Sequence, residues 1–205
     1  MNPLTSIWLS PRNTMRSLEG HDTRLLRFLL IWAWGAAYAL DRATSGDTAI
    51  AWPFPMQIVL PLCVGLLGGA LYFYAMGFAI EVTNSWFSGS ASSRDIRRAL
   101  IYGGVPKSAS LLGYAALAIV FGREMFGSDV PADMPLLVSI CYYTLTLGIF
   151  GLAIWSVFTT SHALAEVQGY RSAWRAYFHT VVAFLLMVLV IAIPLILWTL
   201  LISPT

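Results

Sequence analysis

Charged residues are scarce in this chain. Asp, Glu, Lys and Arg make up 11% of its 205 residues, whereas a soluble domain carries about 25%. Cysteine is scarcer still: Cys63 and Cys141 both lie in apolar stretches, without the close pairing that structural zinc sites use. The chain also lacks a phosphate-binding glycine loop, a zinc-protease helix motif and a nucleophile elbow. These absences exclude a soluble globular domain and argue against the enzyme classes that such motifs mark.

Long apolar runs take up most of the chain, which is 58% hydrophobic with a mean hydropathy of +0.73. A helix needs about 20 apolar residues to cross a bilayer. The bilayer core has no water to bind backbone groups, and continuous runs without alternation favour helices over barrel strands. We therefore predict an all-α, polytopic membrane protein, with residues 1–205 forming one domain built as a five-helix transmembrane bundle. The predicted spans cover about residues 25–40, 55–80, 99–121, 135–158 and 181–202.

The positions of the charges predict the topology. Ten of the twelve basic residues precede the first span or lie between spans two and three or four and five: Arg12, Arg16, Arg24, Arg27, Arg94, Arg97, Arg98, Lys107, Arg171 and Arg175. Arg42 and Arg123 lie on the other side, among Asp41, Asp47, Glu124, Asp129 and Asp133. Basic residues in short loops mark the cytoplasmic side. We expect a cytoplasmic N-terminus, a cytoplasmic interfacial segment over residues 1–23, and residues 203–205 outside.

Glycine and proline predict two features of the helices. Gly65 and Gly69 have the small-xxx-small spacing that lets another helix approach closely, within the molecule more readily than across a dimer. Gly103, Gly104 and Pro106 together predict an early break in the third span. We therefore expect residues 94–102 to form a short basic helix on the membrane surface, with Lys107 at the cytoplasmic edge of the hydrocarbon.

The most informative polar set is predicted at the cytoplasmic leaflet. It comprises Glu81, Lys107, His162 and Glu166. A lysine at that depth needs a counter-charge, and we expect Glu81 or Glu166 to provide it. The set has three interpretations: an ion pair that locks helices together, a site for a proton, ion or lipid headgroup, or a metal site using His162 with the two glutamates. The third has the fewest dedicated ligands, and the sequence predicts no metal and no cofactor.

Several short motifs resemble those of the Yip domain family. Pro11-Arg12-Asn13-Thr14 follows Asn2-Pro3 and Ile7-Trp8, as in the N-terminal signature of bacterial members. Phe87-Ser88-Gly89 and the stretch from Arg97 to Gly103-Gly104-Val105-Pro106 are similar to the glycine-rich turn and the following motif of the family. The likeness extends over nearly the whole chain. It implies five spans and a membrane-embedded, non-catalytic protein that associates with itself or with other membrane proteins, here in a bacterial cytoplasmic membrane.

Two functions remain open from the sequence. The first is an interaction protein that organises other membrane proteins, with its arginines attracted to anionic lipids. The second is a small transporter, channel or lipid-handling protein whose polar fourth span lines a cavity. A cavity lined by Tyr142, Thr144 or Thr146 would favour the second. Intramembrane catalysis is a distant third possibility, and nothing in the sequence supports nucleic-acid binding.

Overall fold

The computed structural model describes residues 2–18, 22–45, 51–126 and 134–202. Asp47, Asp129 and Asp133, which were assigned to the outer side, and residues 203–205, which were assigned to the outside, fall outside these ranges. The described residues form helices and no strands, which confirms the all-α class.

The described chain contains nine α-helices and one short 3-10 helix. The first two, α1 (Pro3–Ser6) and α2 (Pro11–Arg16), precede the long helices α3 (Arg24–Thr44) and α4 (Phe54–Val82). A short α5 (Asn84–Phe87) leads to α6 (Ser93–Gly103) and α7 (Val105–Phe121), followed by the 3-10 helix Gly122–Phe126. The last two helices are α8 (Leu136–Val167) and α9 (Ala173–Ile202).

Within the described ranges, four segments are long and apolar enough to cross a membrane: Phe54–Val82, Ser93–Phe126, Leu136–Val167 and Ala173–Thr199. The remaining long helix, α3, has 21 residues and is therefore about 31 Å long. It carries Arg24, Arg27, Asp41 and Arg42, so its composition is less apolar than that of the other four.

Small residues form the contact between α3 and α4. A Cβ atom added at Gly65 would overlap the backbone of Ala36, and one added at Gly35 would overlap the backbone of Gly65. Gly69 likewise lies against the backbone of Ile31. Close backbone approach of this kind replaces the hydrophobic driving force that lipid removes. In this structure Gly65 and Gly69 serve packing within the chain.

The predicted surface helix is instead part of the bundle. Ile96, Ala99 and Tyr102 of α6 are fully buried, and α6 packs against α4 and α8. Helical hydrogen bonding continues through the glycines, since the Gly104 N–H donates to Leu100 O at 2.9 Å.

Gly103, Gly104 and Pro106 disturb the helical hydrogen bonding at this point, and α8 supplies a hydrogen-bond donor there. Thr159 Oγ1 on α8 donates to the Gly103 carbonyl oxygen at 2.6 Å. Such side-chain donors let Gly and Pro persist inside a membrane helix. As a result, α6 and α7 form one candidate span and Lys107 lies near its middle, fourteen residues from both Ser93 and Phe121. We expected Lys107 at the cytoplasmic edge because the crossing was predicted to begin near Pro106, whereas the candidate span also includes α6.

The α3–α4 contact predicts that adding one methyl group to α4 lowers stability at Gly65 but not at Gly68. Gly65→Ala should lower the free energy of unfolding by about 1–3 kcal/mol, because the added Cβ has no space. Gly68→Ala on the same helix is the matched control, since a Cβ there meets nothing within 4 Å. Thermal unfolding in detergent measures both. Equal stability of the two variants would contradict the packing described for α3 and α4.

Candidate functional site

The N-terminal segment is attached to the turn between α8 and α9 through Arg12. Its Nη1 donates to Tyr170 O and its Nη2 to Arg171 O, both at 3.1 Å. Carbonyls that follow a helix C-terminus have no helical donor, and a guanidinium satisfies them while meeting the negative end of the helix dipole. Pro11, which is buried, begins the helix that carries Arg12. The two N-terminal motif residues therefore fix the segment to the last membrane helices.

A second attachment joins α2 to the end of α8. Arg16 Nε and Nη2 donate to the two carboxylate oxygens of Glu166, at 2.6 and 3.1 Å. This bidentate geometry is the strongest form of an arginine–carboxylate pair. The hydrogen bond and the charge of Glu166 raise the pKa of the Arg16 guanidinium. Arg12 also lies 3.7 Å from Glu166, so this predicted site residue pairs with the N-terminal segment and not with Lys107.

Hydrogen bonds join the glycine-rich turn after α5 to Gln168, the residue that follows α8. Gln168 Nε2 donates to Asn84 Oδ1 at 2.7 Å, and Gln168 Oε1 accepts from the Ala91 N–H at 3.1 Å. Asn84 Nδ2 in turn donates to Ala91 O at 2.9 Å. A Cβ added at Gly89 would collide with the side chains of Gln168, Tyr170 and Asn84. A larger residue would displace these hydrogen-bonded side-chain ends, which gives the turn motif a physical reason.

His179 connects α9 to this turn from inside the protein. Thr83 Oγ1 donates to Ala79 O at 2.9 Å, so it accepts from His179 Nε2, 2.8 Å away. His179 Nδ1 then accepts from the Tyr170 hydroxyl at 3.0 Å, and Phe87 stacks on the imidazole with centroids 4.4 Å apart. Burial raises the pKa of the Tyr170 phenol, and the nearby Arg175 opposes that shift. His179 is fully buried.

A further ion cluster surrounds Asp22. Its carboxylate lies 2.7 Å from Arg98 Nε and 3.2 Å from Arg27 Nε. The Tyr102 hydroxyl also donates to Asp22 Oδ1 at 3.2 Å. The Asp22 side chain is only 6% exposed, so one carboxylate joins the segment before α3 to both α3 and α6.

Lys107 pairs with a residue that the topology had assigned to the outer side. Lys107 Nζ lies 3.8 Å from Asp41 Oδ2, and the Tyr114 hydroxyl donates to Asp41 Oδ1 at 2.6 Å. The pair forms because Lys107 starts near the middle of the candidate span Ser93–Phe126 and extends towards the C-terminal end of α3. The expected pairing with Glu81 or Glu166 was therefore wrong.

The four predicted site residues have separate surroundings. Glu81 Oε1 accepts from the Ser93 N–H at 3.0 Å, at the start of α6. His162 packs on the Phe158 ring with centroids 4.3 Å apart. Over the described ranges, no group of three or more His, Cys, Asp or Glu side chains is placed to hold a metal ion. The polar set of the sequence analysis is thus divided among several structural contacts.

Two cavities lie near these groups. One of about 410 Å³ lies at the charged end of the bundle and is lined by Arg16, Asp22, Asp95, Arg98 and Glu166 among others. The other, of about 290 Å³, lies between the helices and includes Lys107, Ser156 and Thr160 in its lining. Tyr142, Thr144 and Thr146 do not line either cavity. Tyr142 packs on Phe121, and Thr144 donates to Ile140 O.

The described residues form helices, four of them long and apolar enough to cross a bilayer, and polar groups are paired between those helices. These features define a multi-pass integral membrane protein. Its family follows from comparison with known proteins. The family model of the Yip1 domain matches residues 5–193, and the chain belongs to that family. No curated protein and no solved structure matches the chain.

Sequence reasoning missed Asp41, Asp22 and the pair Asn84 and Gln168. Asp41 carried a usable signal, since it lies in the last turn of a helix that is long enough to cross a bilayer, where a carboxylate needs a partner. Asn84 and Gln168 carried no comparable signal, because amides near helix ends are ordinary interfacial residues.

The Lys107–Asp41 pair predicts a specific energetic coupling. Lys107→Met and Asp41→Asn should each lower the free energy of unfolding. The double variant should be about 1–2 kcal/mol more stable than the sum of the two single effects predicts. The control cycle pairs Lys107→Met with Glu81→Gln, which should be additive within about 0.5 kcal/mol. Thermal unfolding in detergent measures both cycles. Coupling to Glu81 instead of Asp41 would show that the pairing described here is incorrect.

The Arg12 and Arg16 contacts predict that the N-terminal segment can be released without unfolding the bundle. Arg12→Ala with Arg16→Ala should make residues 2–18 cleave faster under limited proteolysis, because opening of the segment then breaks fewer contacts. Arg171→Ala is the control, since the exposed Arg171 contributes its backbone carbonyl and not its side chain to this attachment. Unchanged cleavage in the double variant would contradict the attachment.

Proposed function

We propose that this protein crosses a bacterial cytoplasmic membrane five times and acts without catalysis, by binding other membrane proteins or lipids at its cytoplasmic face. The fifth crossing in this proposal is α3. Its length of about 31 Å suits a hydrocarbon core of about 30 Å, and it packs along α4 through Gly35, Gly65 and Gly69. Five crossings with the basic loops inside give a cytoplasmic N-terminus and an external C-terminus.

One observation carries the binding role: at the proposed cytoplasmic end the carboxylates are engaged internally, whereas several arginines are exposed and have no carboxylate partner among the described residues. Asp22, Glu81 and Glu166 each accept contacts from the protein itself. Four exposed arginines of this end form what we call the arginine surface: Arg24, Arg94, Arg171 and Arg175. A fixed cationic surface of this kind favours acidic partners, namely anionic lipid headgroups or acidic segments of other membrane proteins.

The arrangement of the polar groups supports a non-catalytic role. Gln168, Asn84 and His179 donate to or accept from neighbouring groups in fixed pairs. Groups held in this way stabilise the turn between helices and have no free position for a substrate. We therefore interpret them as the parts that hold the arginine surface in place.

The transporter or channel alternative has less support. It required a cavity lined by Tyr142, Thr144 or Thr146, and these side chains pack against other helices, bond to their own backbone or face outward. The cavity beside Lys107 lies elsewhere and favours binding over a continuous passage.

The proposed function predicts that neutralising the arginine surface removes partners without unfolding the protein. A variant with Arg24, Arg94, Arg171 and Arg175 all changed to Gln should lose most cross-linked membrane proteins and most co-purifying anionic lipid, at an unchanged melting temperature. Each arginine near an anionic membrane surface contributes about 1 kcal/mol. Cross-linking in native membranes followed by mass spectrometry gives the measurement.

The matched control is Arg42→Gln, which removes an exposed arginine at the opposite end of α3. It should leave the cross-linked set unchanged. If the fourfold variant kept all the partners and lipids of the wild type, the proposed binding surface would be wrong.

A further inference from the structure

The cavity of about 290 Å³ is lined by residues from six helices of the bundle. Its lining includes Trp34 from α3, Lys107 from α7, Ser156 and Thr160 from α8, and Tyr177 and Thr180 from α9. The remaining lining residues are aromatic, aliphatic or hydroxyl-bearing, and Lys107 is the one charged residue among them. A largely apolar cavity with a few polar groups has the character of a small-molecule site.

Lys107 is poorly satisfied by the protein. Its side chain is 10% exposed, and within the described ranges its ammonium makes no hydrogen bond to another residue. Asp41 Oδ2, at 3.8 Å, is too far for a hydrogen bond, and Asp41 Oδ1 already accepts from Tyr114. An ammonium has three donors and no acceptor. A buried cation with unused donors is costly inside a membrane protein unless something else accepts from it.

Other donors beside the cavity are also unused. The Trp34 indole N–H and the hydroxyls of Thr160 and Tyr177 form no hydrogen bond with any residue that the structure describes. In contrast, Ser161 and Thr180 donate to backbone carbonyls of their own helices. An indole N–H and an ammonium can only donate. A ligand that complements this set must therefore accept hydrogen bonds and carry negative charge.

The position of the cavity indicates that the ligand also has an apolar part. Val157, which lines it, is 51% exposed on α8, so the cavity borders a side of the bundle that faces lipid in a multi-pass protein. Tyr177 and Thr180 lie in the first turns of α9. A ligand entering from the bilayer is an amphiphile, with an acyl chain that matches the apolar walls.

We propose that this cavity binds an anionic amphiphile whose acidic headgroup pairs with Lys107, with Thr160 and Tyr177 as additional donors. The headgroup is a carboxylate or phosphate, from a free fatty acid or an anionic phospholipid. The acyl chain leaves past Val157 into the bilayer. This site lies inside the bundle and does not depend on the arginine surface, so it goes beyond the proposed function.

The test uses the full-length protein in uncharged detergent and the fluorescent probe 11-(dansylamino)undecanoic acid, with its methyl ester as the uncharged partner. The acid should bind saturably, and the ester at least tenfold more weakly, because it offers no charge to Lys107. Lys107→Gln should weaken binding of the acid by a similar factor. Displacement by oleate identifies a free carboxylate as the ligand, and displacement by phosphatidylglycerol identifies a phospholipid headgroup.

Two further variants separate binding from folding. Ala153→Phe fills the cavity from α8 without altering Lys107 or Asp41, and it should abolish probe binding at an unchanged or higher melting temperature. Arg123→Gln removes an exposed cation that neither lines the cavity nor belongs to the arginine surface, and this variant should bind like the wild type. Equal binding of the acid and the ester, or full binding by the Ala153→Phe variant, would overturn the proposal. The probe-binding result does not depend on whether the fourfold arginine variant loses its cross-linked partners.

Discussion

The absence of water from the bilayer core is the constraint on which the rest of this structure depends. Backbone and charged groups inside the spans must find partners in the protein, because lipid offers none. Thr159 supplies a donor to the Gly103 carbonyl where glycine and proline disturb the helix. Asp41 with Tyr114 supplies a counter-charge to Lys107. These contacts connect α6, α7, α8 and α3, so the same groups that meet the constraint also fix the arrangement of the helices.

At the proposed cytoplasmic end charged groups need not be paired, because water is available there. There Arg12 and Arg16 hold the N-terminal segment against the end of α8, while the buried Asp22 connects α3 and α6. Because these contacts occupy the carboxylates, the cationic groups left over define the surface. The family motifs thus have structural roles: Arg12 satisfies carbonyls, Gly89 gives space to Gln168, and Gly103 lets α6 and α8 approach closely.

The helices could be predicted from the sequence because hydropathy is a local property. The partners could not, because they depend on how the helices pack. The glycines and Pro106 suggested a broken span, and only the neighbouring Thr159 explains why the helix continues. Lys107 was correctly judged to need a carboxylate, but its position along the candidate span, and hence the choice of Asp41, followed from that continuity. Asn84 and Gln168 are 84 positions apart, and Thr83 and His179 are 96 positions apart. No local sequence pattern indicates pairs at such separations.

The account rests on an odd number of crossings with the basic loops on one side. The most direct measurement labels single cysteines with a membrane-impermeant maleimide in intact cells and in inverted vesicles, after Cys63 and Cys141 have been replaced by Ala. A cysteine at Thr5 should react only in inverted vesicles, and one at Ser203 only in intact cells. Reaction of both positions in the same preparation would place the two ends on one side and contradict the account.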